Sequence, residues 1–192
     1  MANKESTFTN MVLTLVIITG VASFALGSIY NITKEPIEKA KREKQERAIR
    51  EVIPEFDNLE SQKVMAAGGD SLAVFHGYAG EEMVGTAVSS YSDDGYDPTR
   101  IIVMVGFLPD LTIHNTVVIQ QKETPGLGTK MNDPAWKNQF NGKNPDVFNL
   151  RMKKDGGDVD AITAATISSR AFSDAITRAY EALKNQEGEI QP

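Results

Sequence analysis

Between Phe8 and Thr33 the chain carries no charged side chain. Residues 11–29, the apolar heart of that run, are long enough to cross a bilayer as a helix, because about 20 residues rising ~1.5 Å each match a hydrocarbon layer ~30 Å thick. Tyr30 stands where an interfacial aromatic belongs, and Gly20 and Gly27 are small enough for close helix contact. The rival reading is a cleaved signal peptide with Ala25-Leu26-Gly27 as its small-residue cleavage site. Lys4 is offset by Glu5, which makes a poor basic leader, and the apolar run is long for a signal. The reading is therefore a short tail over 1–10 and an uncleaved transmembrane anchor over 11–30.

Residues 34–52 read as a charged connecting helix. Pro36 suits its first turn, and Ile37, Ala40, Ala48 and Val52 give only a thin apolar stripe. Its basic residues, from Lys34 to Arg50, would by the positive-inside rule put this side in the cytoplasm, and the interleaved acids count little in that rule.

From residue 54 to 186 the pattern is globular, with a short tail over 187–192. Short runs read as strands at Ser71–His76, Met83–Ser90, Ile101–Phe107 and Leu111–Gln120. In the last of these Ile113, Val117 and Ile119 alternate with polar positions, as in a half-buried strand. Leu108-Pro109-Asp110 predicts a hairpin turn, and residues 77–80 and 92–99 read as loops. Strands joined by turns and followed by a helix predict an α+β fold, an antiparallel sheet with flanking helices, preceded by one transmembrane helix. No Gly-x-Gly-x-x-Gly follows a strand, so nothing supports a dinucleotide-binding Rossmann unit.

Composition narrows the chemistry. The chain has 192 residues, no cysteine and two histidines, His76 and His114. That excludes a thiolate-held iron–sulfur cluster or zinc, a cysteine nucleophile, a disulfide and a lipoprotein anchor in this chain. The two histidines lie in separate strands without a partner nearby in sequence, and both read as structural or exposed. The net charge of −6 is the wrong sign for a nucleic-acid surface.

Two segments carry the chemistry. The first is Asp160-Ala161-Ile162-Thr163-Ala164-Ala165-Thr166-Ile167-Ser168-Ser169-Arg170, where an irregular stretch turns into a helix marked by Ile167, Ala171, Ala175, Ala179 and Leu183, with Phe172 and Ile176 beside them. A helix start offers unpaired N–H groups and partial positive charge to an anion such as phosphate, and small residues let the backbone approach it. From local chemistry alone, Thr and Ser here are more often ordinary caps. The second is Glu123-Thr124-Pro125-Gly126-Leu127-Gly128-Thr129-Lys130, whose Pro-Gly and second Gly specify a tight, exposed turn that would by itself pass for a connector.

Together, and in this order, the two segments resemble the FMN-binding domain family whose members carry flavin on a threonine. That domain occurs in the G-type subunit of the Rnf ion-translocating electron-transport complex and in the C-type subunit of the sodium-translocating NADH:quinone reductase. The compact spacing and the run Thr166-Ile167-Ser168-Ser169-Arg170 bring this chain nearer to the Rnf protein. The resemblance implies covalent FMN, held as a phosphoester on Thr166, with Thr163, Ala165, Ile167, Ser168 and Ser169 around the attachment and Glu123, Thr124, Gly126, Leu127 and Gly128 lining the flavin. The family usually has Gly where this chain has Ala164, and a positive φ there would be costly for Ala. Asp133 to Lys143 also fits the family; Trp136 reads as core packing and Lys143 as solvated.

The resemblance further implies an electron-transfer subunit with no turnover of its own, partnered by other membrane and redox subunits. A flavin transferase would be needed for maturation. The location implied is the cell inner membrane, single-pass, with the soluble domain outside the cytoplasm, against the sign of the 34–52 charges. A chain without metal-binding residues must borrow an organic cofactor for such work, which suits flavin. The alternative from another class is a membrane-anchored extracytoplasmic binding or assembly module without cofactor.

Overall fold

The structure, a computed structural model, describes residues 7–66 and 69–190, with backbone alone over 187–190. Lys4 and Glu5, on which the leader argument turns, and the end of the tail at Gln191 and Pro192 lie outside the described residues. Internal contacts divide the chain into two units, Met1–Lys44 and Gln45–Pro192.

The first unit consists of the greater part of α1 (Phe8–Val52). Its apolar side chains face outward, Phe24 being 79% exposed, and the helix is long and apolar enough to cross a membrane. The hydroxyls of Thr14, Thr19 and Thr33 donate to carbonyls four residues back, at 2.7, 2.8 and 2.8 Å, so they are satisfied without water. Pro36 lies inside α1 rather than opening a second helix. The segments read as anchor and connecting helix are thus one continuous helix. Beyond Pro36 the pairs Arg42–Glu38 and Lys39–Glu43 sit one turn apart at 3.7 and 4.0 Å, each contributing about 0.3–0.5 kcal/mol at such exposure.

The second unit is a five-stranded meander, β1 (Asn58–Met65), β2 (Ser71–Ala79), β3 (Glu82–Ser92), β4 (Ile101–Phe107) and β5 (Ile113–Gln120), every neighbouring pair antiparallel. Side chains alternate through the sheet. On one face Val74, Val88, Val103, Val105 and Phe107 meet Phe172, Ile176 and Ala179 of α3 (Thr166–Ile190). On the other, Phe75, Ala87 and Met104 meet Ala48, Ile49, Val52 and Ile53 at the end of α1. That end sits so close to β4 that a Cβ on Gly106 would fall on the Val52 carbonyl, so only glycine fits. The last carbonyls of α1 find partners on β5: the Asn115 amide donates to Glu51 O at 3.0 Å, and His114 Nδ1 lies 3.0 Å from Val52 O. His76 also has partners across the sheet, Gln62 at 2.6 Å and Thr86 at 3.0 Å, and burial holds its pKa below the ordinary value.

The antiparallel α+β arrangement agrees with the sequence reading, but β2 runs on to Ala79 through residues read as a loop, α3 runs on to Ile190 into the segment read as a tail, and there are three further differences. β1 lies outside the strands read from sequence: it is an edge strand with only Val64 buried, so it carries no alternating signal. Leu111 adopts φ 62° in the hairpin turn, and β5 begins at Ile113. The register shifts between Gly106 and Phe107, which turns Ile113 to the α3 side while Val117 and Ile119 stay with α1. Between β5 and α3 the chain passes through short helical turns at Gly128–Asn132, α2 (Pro134–Lys137), Asn138–Phe140 and Lys153–Asp155.

Candidate functional site

Thr166 is the first residue of α3. The turn before it is built by a serine inside the helix: Ser169 Oγ accepts from Ile162 N at 2.9 Å and donates to Ala165 O at 2.9 Å, while Ala165 N donates to Ile162 O at 3.0 Å. Upstream, Asp160 O accepts from Trp136 Nε1 at 2.7 Å, and the Trp136 ring packs edge-on against Phe140 and Phe172 at 5.5 and 5.1 Å. Trp136 is thus a packing residue that pins the approach to the helix. The path then needs one residue in the left-handed region, and that residue is Ala164, at φ 61°. The position where the resembled family usually has Gly is the strained one here.

The backbone N–H groups of Thr166, Ile167 and Ser168 have no acceptor among the described residues, and the first turn of α3 holds no acidic side chain. Such a helix start favours an anion.

The Glu123–Gly128 turn is tied to this helix start by a buried carboxylate. Glu123 is only 3% exposed. Its Oε2 accepts from Ser168 Oγ at 2.6 Å, and its Oε1 accepts from the backbone N–H of Tyr96 at 2.9 Å and of Asp97 at 3.3 Å. Three donors on one carboxylate offset much of the cost of burying it, each charge-assisted bond contributing about 1.5–3 kcal/mol. Two glycines leave it room: a Cβ on Gly128 would lie 2.5 Å from Ser168 Oγ, and one on Gly95 would lie 2.7 Å from Glu123 Oε1. Gly126 takes φ 75°, and its N–H donates to Thr129 Oγ1 at 3.0 Å to close the turn. Nearby, hydrogen bonds from the Thr99 side chain and backbone hold the Asp97 carboxyl below the usual carboxylate range and fix the 95–99 loop.

These pieces enclose a cavity of about 540 Å³. The turn supplies Glu123, Thr124, Leu127 and Gly128; the helix start supplies Ala164, Ala165, Thr166, Ile167 and Ser168; Tyr96 closes one side. Gly126, Thr163 and Ser169 are not part of the lining. Ser169 is fully buried in the turn it builds, and Gly126 shapes the loop through its positive φ. Tyr96 has no place in either sequence segment; the Gly95-Tyr96 pair in a loop is its only signal. A larger cavity, about 790 Å³, lies along α3 beside Arg170, Ser173 and Tyr180, but Arg170 is already paired with Asp155 at 2.8 Å and none of the free N–H groups reaches its walls. The smaller cavity has the better chemistry for a flavin phosphate: free N–H donors, small side chains beside them, a threonine hydroxyl, and exposed apolar Leu127 and Ile167 for a ring. The residues fit FMN.

The FMN-binding domain family matches residues 95–181. The G-type subunit of the ion-translocating oxidoreductase complex of Methanosarcina acetivorans is 31% identical over 183 residues, covering 94% of this chain and 96% of that protein. The G-type subunit of the Na(+)-translocating ferredoxin:NAD(+) oxidoreductase complex of Acetobacterium woodii is 28% identical over 188 residues, covering 90% of each. A crystal structure of Shewanella oneidensis NqrC superposes with a TM-score of 0.49 at 23% identity, over 71% of this chain and 72% of that one.

Proposed function

Because this chain belongs to the family of G-type subunits of ion-translocating oxidoreductase complexes and contains an FMN-binding domain, we propose that it is an electron-transfer subunit carrying FMN as a phosphoester on Thr166. The observation that carries the reading is the position of Thr166: it opens α3 at the wall of the cavity, where its own N–H and those of Ile167 and Ser168 have no acceptor among the described residues. FMN, when bound, supplies one- and two-electron redox chemistry, which this chain's side chains lack.

The chain's own residues hold and orient. The first turn of α3 stabilises phosphate charge, by about 0.3–1 kcal/mol at an exposed helix start and more where water is excluded. Ala164 and Ala165 keep side-chain bulk away from it. Leu127 and Ile167 offer apolar surface to a ring, and Thr124 offers a hydroxyl at its edge. Covalent attachment stops an open, 540 Å³ site from losing its cofactor by dissociation. A flavin transferase would attach the FMN from FAD: the Thr166 hydroxyl loses its proton, the FAD pyrophosphate bond breaks, and AMP leaves, so Thr166 is a modified residue and not an enzymatic nucleophile.

Electrons pass through this subunit between neighbours in a membrane complex that couples ferredoxin and NAD chemistry to ion movement, and the chain has no turnover alone. The apolar part of α1 spans the inner membrane once, and the flavin domain lies outside the cytoplasm. The test is the visible spectrum of protein produced together with the transferase. A yellow colour that survives denaturation, and is lost in Thr166→Ala with the fold retained, supports the reading. A colourless wild type would favour a cofactor-free assembly module instead.

A further inference from the structure

Tyr96 combines two properties that seldom occur together. The residue is 71% exposed, a large aromatic left in solvent. Its backbone, by contrast, is held firmly. Its N–H and that of Asp97 both donate to Glu123 Oε1, Gly95 leaves no space for a side chain behind it, and the Asp97 carboxylate is itself bound by Thr99 N at 2.8 Å. An aromatic ring on a fixed backbone loses little freedom when it meets a ligand, so contact costs little entropy.

The anchor has a second consequence. The same carboxylate that fixes Tyr96 through Oε1 fixes Ser168 through Oε2, and Ser168 lies two residues from Thr166 in the first turn of α3. One buried side chain therefore sets the aromatic ring and the attachment residue in register. Tyr96 shares the cavity with Leu127 and Ile167, which are 39% and 47% exposed. Three exposed apolar or aromatic side chains around one opening favour a flat, fused-ring ligand over a small polar one.

We infer that Tyr96 is a flavin-contact residue, whose ring covers the isoalloxazine and limits its exposure to water. The inference rests on the reading of Thr166 as the FMN carrier.

The experiment uses the full chain in detergent, loaded by co-production with the transferase, as wild type, Tyr96→Leu and Tyr96→Phe. Mass spectrometry of the denatured proteins first establishes the FMN adduct in each. Flavin fluorescence and its quenching by iodide are then compared. A phenol in contact with flavin quenches its excited state by electron donation, and leucine and phenylalanine do not. With equal loading, Tyr96→Leu is expected to raise flavin fluorescence several-fold and to increase iodide quenching. Tyr96→Phe raises fluorescence too, but keeps the ring shielded from iodide. Equal adduct with unchanged fluorescence and unchanged iodide quenching in Tyr96→Leu overturns the inference while leaving Thr166 as the carrier. A wild type without adduct overturns the underlying reading and this inference with it.

Discussion

Ala164 adopts φ 61° at an exposed position, one residue before the buried Ala165 and two before Thr166. An L-residue in the left-handed region costs roughly 1–2 kcal/mol, and glycine does not bear that cost. Ala164→Gly removes the strain but also frees the unfolded chain, which returns about 0.4–1 kcal/mol. Because the methyl group is exposed, little packing is lost. The net expectation is a stabilisation of about 0.5–1 kcal/mol, a rise of ~1–4 °C in the melting temperature of a chain this size. Ala164→Val moves the other way by about 1 kcal/mol or more, since a β-branched side chain tolerates positive φ least. Denaturant titration followed by Trp136, the chain's single tryptophan and packed between Phe140 and Phe172, reads both changes. If Ala164→Gly instead loses about 1 kcal/mol, as an Ala→Gly change inside a helix does, the left-handed turn before Thr166 is refuted.

Glu123→Gln keeps one acceptor oxygen but weakens the bonds to Ser168 and the 96–97 backbone; a loss of about 1–3 kcal/mol and reduced flavin loading are expected, and unchanged stability and loading by denaturation and absorbance would show that the carboxylate anchors nothing. Gly106→Ala forces a Cβ onto the Val52 carbonyl and should destabilise the domain by about 3 kcal/mol or more, read as a lower denaturation midpoint. For membrane orientation, a single cysteine at exposed Asn185 should react with an impermeant thiol reagent on intact cells; labelling only after lysis would reverse the proposed topology.

Elements with strong periodicity are legible in the sequence. The apolar run of α1 corresponds to an observed helix because its length and lack of charge suffice to mark it, and the Ile167–Leu183 repeat of α3 does so because one face of that helix packs on the sheet. β1 is illegible because it lies at the sheet edge and is exposed almost throughout, so burial writes no pattern into it. The facing of Ile113 depends on a register shift, which alternation alone does not reveal. At the site, the two segments that carry the family resemblance do converge on one cavity. What stays hidden are the long-range ties: Glu123 to Ser168, and Glu123 to the Tyr96 backbone, link residues far apart in the chain. The family resemblance puts Glu123 on the flavin, whereas its carboxylate oxygens are engaged by protein donors.

The central claim, FMN joined to Thr166, is tested most directly by peptide mapping. Protein made with a flavin transferase is denatured and digested, and the peptide containing Thr166 is fragmented in a mass spectrometer. The account predicts an FMN adduct localised to Thr166, absent from Thr166→Ala and undiminished in Thr163→Ala. An adduct localised to Thr163, Ser168 or Ser169, or a fully unmodified peptide from yellow protein, would contradict it.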